Sequence, residues 1–264
     1  MKTAKFWAAL ATTALLATAP ADACTNLIVG KKASADGSVM CTYNCDSFGF
    51  VSPLSYSAPG RHAPGEMIAL RGWGPNAETH YIAQADYTYG VVGLMNENQV
   101  SIVETTWGGR RELRNPEGYL GYFTLMDLAL QRSTTAREAI AVMHRMVQEY
   151  GYNETGESFA VCDKDEAWIM ELIGKGPGRK GAVWVALRVP DDAICAYANA
   201  SRIRQFPQAK KADKQLGFCV VEDECMYSAD VISFAREMGY FSGNDADFSF
   251  REAYGPLDFG AIRY

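Results

Sequence analysis

Apolar and polar positions along the chain predict two β-hairpins before the first helix. Residues 24–29, CTNLIV, are rich in apolar and β-branched side chains and end at Gly30. A polar turn segment, KKASADGS, follows, and VMCTYN at 39–44 has strand composition again. This pattern predicts an N-terminal hairpin. A second hairpin is predicted from YGVVGLMN (89–96) and QVSIVETT (99–106), which a short polar turn joins.

Helical spacing follows in the middle of the chain. Residues 119–132 are predicted to form one helix, and the next helix has the clearest local signature. Thr135 and Glu138 form a capping box at its start, and Gly151 ends it. Apolar residues recur between them every three or four positions and form one stripe along the helix: Ala136, Ala139, Ile140, Met143, Met146, Val147 and Tyr150.

The second half of the chain predicts further strands. Turn residues separate four apolar runs, SFAVCD (158–163), EAWIMELI (166–173), GAVWVALRV (181–189) and AICAYA (193–198). A third helix is predicted at 228–239, and the Pro- and Gly-rich stretch 53–75 predicts loop with short strands. Strand pairs, consecutive helices and then more strands favour helices layered on antiparallel sheet, the α+β class, in a single domain.

The N-terminus has the three parts of a secretory signal peptide. A basic start, MKTAK, precedes an apolar run from Phe6 to Ala19, and the small-residue site Ala21-Asp22-Ala23 follows. A permanent anchor is the alternative, but the apolar run is shorter than the roughly 20 residues that span a bilayer. We therefore expect cleavage of residues 1–23, a folded domain at 24–264, and a secreted or periplasmic bacterial protein without stable membrane insertion.

Composition and charge exclude several classes of function. Hydrophobic residues make up 48% of the 264 residues and charged residues 21%, as in globular proteins. A net charge of −6 without a basic run argues against nucleic acid as a partner. Phosphate-loop, GxSxG and zinc-type motifs are missing, so we expect neither metal nor cofactor. His62, His80 and His144 are scattered, and His144, inside the predicted helix, is expected to be structural.

The chain has seven cysteines, an odd number that points to one thiol with a separate task in an exported protein. Cys24 stands directly behind the cleavage signature. Cys219 and Cys225 bracket a short acidic segment and are candidates for a disulfide. Cys41 and Cys45 lie in one predicted strand about 13 Å apart, beyond disulfide reach. Alternatively, several of these cysteines are reduced, buried small hydrophobes.

Cleavage after Ala23 would give Cys24 two functional groups. A cysteine nucleophile needs a base for its thiol proton, and the sequence places no histidine for that task. A free α-amino group has a pKa of about 8, so its neutral fraction at pH 7 can act as that base. Two alternatives stay open, a structural cysteine and lipid attachment to Cys24, although Ala21 to Ala23 fit a lipoprotein signal poorly.

Four blocks resemble one known family in the same order along the chain. They are CTNLIVGKKASADGS (24–38), YGVVGLMNENQVSIVETTWGGR (89–110), ESFAVCDKDEAWIMELIGKG (157–176) and GAVWVALRVPDDAICAYANASRI (181–203). They resemble the secreted dipeptidases among the N-terminal nucleophile (Ntn) cysteine hydrolases, relatives of penicillin V acylase and bile salt hydrolase. The resemblance covers essentially the whole segment after residue 23. It implies an αββα four-layer sandwich, with two antiparallel sheets between helix layers.

The resemblance also implies roles for individual residues. Cys24 corresponds to the nucleophile, Asp46 to an aspartate that holds its α-amine, and Asn199 to an asparagine that donates to the oxyanion. By pattern alone, Asp46 and Asn199 would be turn residues. Substrate- or oxyanion-binding roles, for the threonines through a backbone N–H, are implied more loosely for Thr105, Thr106 and Asn96.

The implied reaction is hydrolysis of dipeptides through a Cys24 thioester, without a cofactor and with small peptides as partners. An amidase for acylated lactams or conjugated bile acids is an alternative on the same fold, and a lipid-anchored binding protein is one from another class. Tyr43 departs from the arginine that many relatives have before the aspartate. Relatives also run well beyond 264 residues, so we expect the chain to be C-terminally incomplete relative to the family. A homo-oligomer stays open.

Overall fold

The computed structural model describes residues 23–46, 54–71 and 78–255, with only the backbone of Ala23, Asp46 and Arg71. Apart from Ala23, the predicted signal peptide lies outside the described residues. The strands are β1 (Ala23–Val29), β2 (Met40–Asp46), β3 (Tyr56–Ser57), β4 (Gly60–Arg61), β5 (Met67–Arg71), β6 (Thr79–Ala83), β7 (Tyr87–Thr88), β8 (Val91–Val92), β9 (Met95–Asn96), β10 (Ser101–Gly108), β11 (Gly156–Cys162), β12 (Ala167–Gly174), β13 (Ala182–Val189), β14 (Ile194–Ala198), β15 (Phe218–Val221) and β16 (Cys225–Ser228). The helices are α1 (Tyr122–Leu130), α2 (Ala136–Tyr150), α3 (Val231–Glu237) and α4 (Phe250–Tyr254), with 3-10 turns at Arg111–Leu113 and Asp245–Asp247.

Two sheets form the framework. The larger sheet has the strand order β15-β16-β13-β12-β11-β10-β9-β8-β3, and the smaller has the order β14-β1-β2. The pairs β4–β7 and β5–β6 form separate two-stranded ribbons. Every strand pairing found in the described residues is antiparallel. The predicted α+β class with antiparallel sheets is therefore confirmed.

The predicted N-terminal hairpin places Cys24 inside the smaller sheet. In the β1–β2 register, Cys24 lies opposite Cys45. On its other side β1 pairs with β14, so that Thr25 faces Ala198. Because side chains alternate along a strand, Cys24 and Asn26 point to the same face of this sheet, toward the larger sheet.

Helix α2 forms as its local sequence predicts. Thr135 is the N-cap and its hydroxyl accepts a hydrogen bond from the Glu138 N–H at 3.2 Å. Gly151 ends the helix with φ of 78°, a conformation in which a side chain would be strained. His144 is buried on the inner face, where Nδ1 accepts from Trp184 Nε1 at 3.1 Å, and burial lowers its pKa to about 4. This is the structural role that the sequence predicted.

The described residues build three layers. Helices α1 and α2 cover one face of the larger sheet and pack on the core around Phe159, Trp168 and Trp184. The smaller sheet covers part of the other face through Ile28 and Tyr197. Its own outer face has no helix layer in this part of the chain, because Leu27 and Ile194 are 37% and 63% exposed there. The implied fourth layer is not seen among the described residues, and none of their helices is long and apolar enough to cross a membrane.

The second predicted hairpin differs from the expectation in its first strand. The run at 89–96 is divided into β8 and β9, because Gly93 adopts φ of 57° in the turn between them. β9 pairs with β10 only at Met95 and Ser101. From Val103 onward, this edge of β10 therefore has no neighbouring strand among the described residues.

Candidate active site

Two asparagine side chains bind the open edge of β10. One belongs to β1 of the smaller sheet, and the other directly follows β14. Asn26 Nδ2 donates to the Glu104 carbonyl at 2.9 Å, and Asn199 Nδ2 donates to the Thr106 carbonyl at 2.6 Å. Both carbonyls point to the open edge, because carbonyls two residues apart in a strand point the same way. These two carbonyls of the β10 edge are thereby satisfied, and the two sheets are joined there.

Cys24 lies at this junction. Its backbone N–H donates to Asn199 Oδ1 at 2.5 Å, and its side chain is half-buried. The contact joins residues 175 positions apart, since Asn199 directly follows β14, the strand that pairs with β1. Pairing of the central strand with β14 thus brings the predicted nucleophile and the predicted oxyanion donor together.

One donor of the Asn199 amide has no hydrogen-bond partner in the part of the chain that the structure describes. A carboxamide carries two N–H groups and one carbonyl oxygen. Its oxygen binds the backbone nitrogen of Cys24, and one N–H binds the Thr106 carbonyl. The second N–H is available for a negatively charged oxygen formed next to Cys24.

The surroundings of Cys24 disfavour its thiolate. Its pKa is raised to about 12, first by burial, then by the negative charge of Glu104 and by Cys45 on the paired strand. Such a thiol is almost entirely protonated at pH 7. A nucleophilic Cys24 therefore needs a base held next to its sulfur.

Two buried glutamates near Cys24 were not predicted from the sequence. Glu104 on β10 and Glu157 on β11 are only 2% and 0% exposed. The Tyr43 hydroxyl donates to Glu104 Oε1 at 2.6 Å, and the Thr106 hydroxyl donates to Glu157 Oε2 at 3.0 Å. The sequence offered one indication of these residues, a glutamate within or next to an apolar strand run, in QVSIVETT and at the start of ESFAVCD. Charged residues are rarely fully buried unless they are paired, so such a position is worth examining as a site.

A third buried glutamate holds the segment behind Asn199. Glu171 on β12 accepts hydrogen bonds from Ser201 Oγ at 2.5 Å, from Arg202 N at 2.5 Å and from Ile203 N at 3.2 Å. Burial raises its pKa to about 7, and the donors oppose that shift. Glu171 is therefore a positioning residue for the chain that leaves β14.

Replacing Glu171 with alanine is expected to loosen this segment and misplace Asn199. The change leaves two backbone N–H groups without their acceptor, which costs about 2–4 kcal/mol in the free energy of unfolding. We expect a lower melting temperature, measured by thermal unfolding. For the dipeptide hydrolysis that the family resemblance implies, we expect a lower kcat, measured by steady-state kinetics. Glu171→Gln retains an acceptor for Arg202 and Ile203 and should restore most of both quantities. An alanine variant with unchanged stability and kcat would contradict this role.

The other predicted site residues have different positions. The Asp46 backbone pairs with Ala23, next to the Cys24 pair, while its side chain lies outside the described part. The Thr105 hydroxyl donates to the Ala198 carbonyl at 3.2 Å, on the face toward the smaller sheet. The structure therefore brings both threonines to the Cys24 junction.

Asn96 has a different environment. Its amide nitrogen donates to the Leu130 and Ser133 carbonyls, and its oxygen accepts from the backbone of Asn98 and Val100. These contacts tie β9 to the end of α1 and use the whole amide. No contact among the described residues joins Asn96 to Cys24.

All seven cysteines, each in the described part, are free thiols. Cys219 faces Tyr227 and Cys225 faces Val221, so the two lie diagonally across β15 and β16 and do not form the candidate disulfide. Within the described ranges, no cluster of three His, Cys, Asp or Glu side chains could hold a metal ion. A cavity of about 670 Å³ lined by Cys41, Tyr43 and Cys162, among others, shares with this site only Tyr43.

Comparison with known families shows which family this chain belongs to. The sequence model described as Peptidase family C69 matches residues 23–57 and 72–264, nearly everything after the predicted signal peptide. The chain belongs to Peptidase family C69. The resemblance to Ntn-type cysteine dipeptidases, found in the four sequence blocks, is confirmed.

Curated relatives of this family C69 chain carry dipeptidase names. A probable dipeptidase of Salmonella dublin is 27% identical over 253 residues, which cover 88% of this chain and 53% of that protein. A probable dipeptidase of Latilactobacillus sakei is 25% identical, covering 88% and 48%. A dipeptidase of Bifidobacterium longum is 26% identical, covering 88% and 46%. The chain thus spans about half the length of the curated relatives it matches.

Proposed function

We propose that this family C69 chain carries the nucleophile and oxyanion site of an exported cysteine dipeptidase. The contact between the Cys24 backbone nitrogen and Asn199 carries the proposal. In support of the proposal, the thiol-bearing residue that follows a signal-peptide cleavage signature binds a side-chain amide through the backbone nitrogen that cleavage would free. The dipeptidase names of the curated relatives support dipeptides as substrates.

The proposed reaction begins after cleavage between Ala23 and Cys24. The free α-amine takes the thiol proton, and Cys24 Sγ attacks the scissile carbonyl carbon to form a tetrahedral oxyanion. The second N–H of Asn199 stabilises this oxygen. The C–N bond then breaks, the leaving amine receives the proton, and a thioester remains. Water attacks the thioester with the amine again as base, and the acid is released.

Asp46 is proposed to orient the α-ammonium formed during this attack. Its backbone lies opposite Ala23, the neighbour of Cys24. A nearby carboxylate favours the charged form of an amine. We further propose that the protein has the four-layer Ntn sandwich, of which two sheets and one helix layer lie in the described residues.

The experiment is to export the printed chain from a bacterial host, determine its intact mass and N-terminal sequence, and assay dipeptide hydrolysis on the same sample. We expect a terminus at Cys24 and activity. The matched control is Ala23→Phe, which puts a bulky residue at the cleavage position and should retain the leader and abolish activity. A lipid mass on Cys24, equal activity with an uncleaved leader, or turnover of acyl amides but not dipeptides would overturn the proposal.

A further inference from the structure

The carboxyl pair formed by Glu104 and Glu157 has no partner for two of its oxygens. The side chains are neighbours on one face of the β10–β11 pair, since Thr106, two residues after Glu104, lies directly opposite Glu157. Both side chains are buried, and Glu104 Oε2 and Glu157 Oε1 have no donor among the described residues. A cation beside two such neighbouring carboxylates favours their ionised forms.

The chain supplies no cation for this pair within its described residues. None of the ion pairs found there involves Glu104 or Glu157. Burial and the neighbouring Glu104 carboxyl raise the pKa of Glu157 well above its usual range. A cation bound beside the two carboxyls would offset both effects.

A third buried polar group without a partner is Tyr152. Its hydroxyl is fully buried and has no hydrogen-bond partner among the described residues. Burial and then the charge of Glu157 raise the pKa of Tyr152 well above its usual range. Glu104 Oε2, Glu157 Oε1 and the Tyr152 oxygen are three unsatisfied acceptors, and an ammonium group has three N–H donors.

The pair is next to the candidate nucleophile. The charges of Glu104 and Glu157 both act on the Cys24 thiol and on the half-buried hydroxyl of Tyr122. Hydrogen bonds give the same placement, since the Asn199 amide binds both Cys24 N and the Thr106 carbonyl, and the Thr106 hydroxyl binds Glu157. In a dipeptide the α-nitrogen is about 2.5 Å from the scissile carbonyl carbon, so its binding group must lie beside the nucleophile.

We propose that Glu104 and Glu157 bind the free α-ammonium group of the substrate, with Tyr152 as a third acceptor. The inference rests on the proposed dipeptidase function and adds its selectivity: amides with a free amine next to the scissile carbonyl are accepted, and N-acylated ones are rejected. An acylated amine leaves the buried carboxyls unpaired, and sites with buried polar groups discriminate strongly against ligands that leave them unpaired. Bile-acid amides, and lactams whose acyl group has no amine next to the carbonyl, lack this ammonium.

Binding to the Cys24→Ala form of the printed chain tests this selectivity without hydrolysis. Calorimetric titrations would compare alanyl-alanine with N-acetyl-alanyl-alanine. We expect the acetylated ligand to bind at least about 30-fold more weakly, since a charge-assisted buried hydrogen bond is lost. Glu157→Gln in the same background should weaken alanyl-alanine about 10- to 100-fold and change the acetylated ligand less than about threefold.

The matched control is Glu222→Gln, which removes the same charge at an exposed turn position and should change neither affinity. If Glu157→Gln does not fold, as judged by its unfolding transition, Glu104→Gln replaces it, and the comparison of the two ligands needs no further variant. Equal affinity for the two ligands, binding of neither, or equal weakening of both in the glutamine variant would overturn the inference.

Hydrolysis by the chain with Cys24 intact is measured separately, so the two proposals fail in different ways. Selective binding without turnover would contradict the proposed dipeptidase function and support the ammonium site. Turnover of free and acetylated dipeptides at similar kcat/KM would support a Cys24 hydrolase and contradict the ammonium site.

Discussion

Replacing Cys24 with alanine is expected to lower kcat for dipeptide hydrolysis by about 10⁴-fold or more, because no thioester can form. The alanine variant retains the α-amine, the β1–β2 pairing and the Asn199 contact, all of which depend on the backbone. Substrate binding and the melting temperature should therefore stay close to those of the unchanged chain. Single-turnover kinetics with a dipeptide measure the rate of hydrolysis and substrate binding, and thermal unfolding measures the melting temperature.

Cys195→Ala is the matched control for this loss. Cys195 is also half-buried and lies on β14 in the same sheet, opposite Ile28 and away from the site. Activity should survive that change, and iodoacetamide should inactivate the Cys195→Ala protein by alkylating Cys24. Residual activity of Cys24→Ala above a few per cent would exclude this residue as the nucleophile.

Replacing Asn199 with alanine is expected to lower kcat by about 10²–10³-fold. The loss of one preorganised oxyanion donor typically raises the barrier by about 3–4 kcal/mol. KM should change little, because the oxyanion exists only in the transition state and the intermediate. The measurement is the separate determination of kcat and KM for one dipeptide, with the protein confirmed as folded.

A structural role of Asn199 must be separated from this effect, because its amide also joins Cys24 N to the Thr106 carbonyl. The rate of Cys24 alkylation by iodoacetamide reports on the position and ionisation of the thiol and forms no oxyanion. We expect this rate to change less than about fivefold in Asn199→Ala. The matched control is Asn26→Ala, which removes the other side-chain hydrogen bond to the β10 edge. It should lower the melting temperature and should lower kcat less than Asn199→Ala does. If Asn199→Ala slows alkylation as much as kcat, Asn199 positions the nucleophile and does not stabilise the oxyanion.

Local sequence predicted the elements whose stability is local. Helix α2 is bounded by its two caps. The Thr135 hydroxyl accepts a hydrogen bond from a backbone N–H of the first turn, and the positive φ of Gly151 redirects the chain after the last turn. The β1–β2 hairpin likewise follows from two strand runs around a turn. The division of β8 and β9 was not predicted, since an apolar run does not reveal where a glycine reverses the chain.

The sequence by itself determined the candidate nucleophile and the family, because a cleavage signature before Cys24 and ordered sequence blocks are properties of the chain alone. Only the tertiary structure decided what surrounds that cysteine. Strand pairing brings Asn199 to Cys24 across 175 positions. Packing buries Glu104 and Glu157 as neighbours on β10 and β11, where no ion pair reaches either of them from the described part of the chain. Register and burial arise from long-range packing, which no pattern within one strand contains.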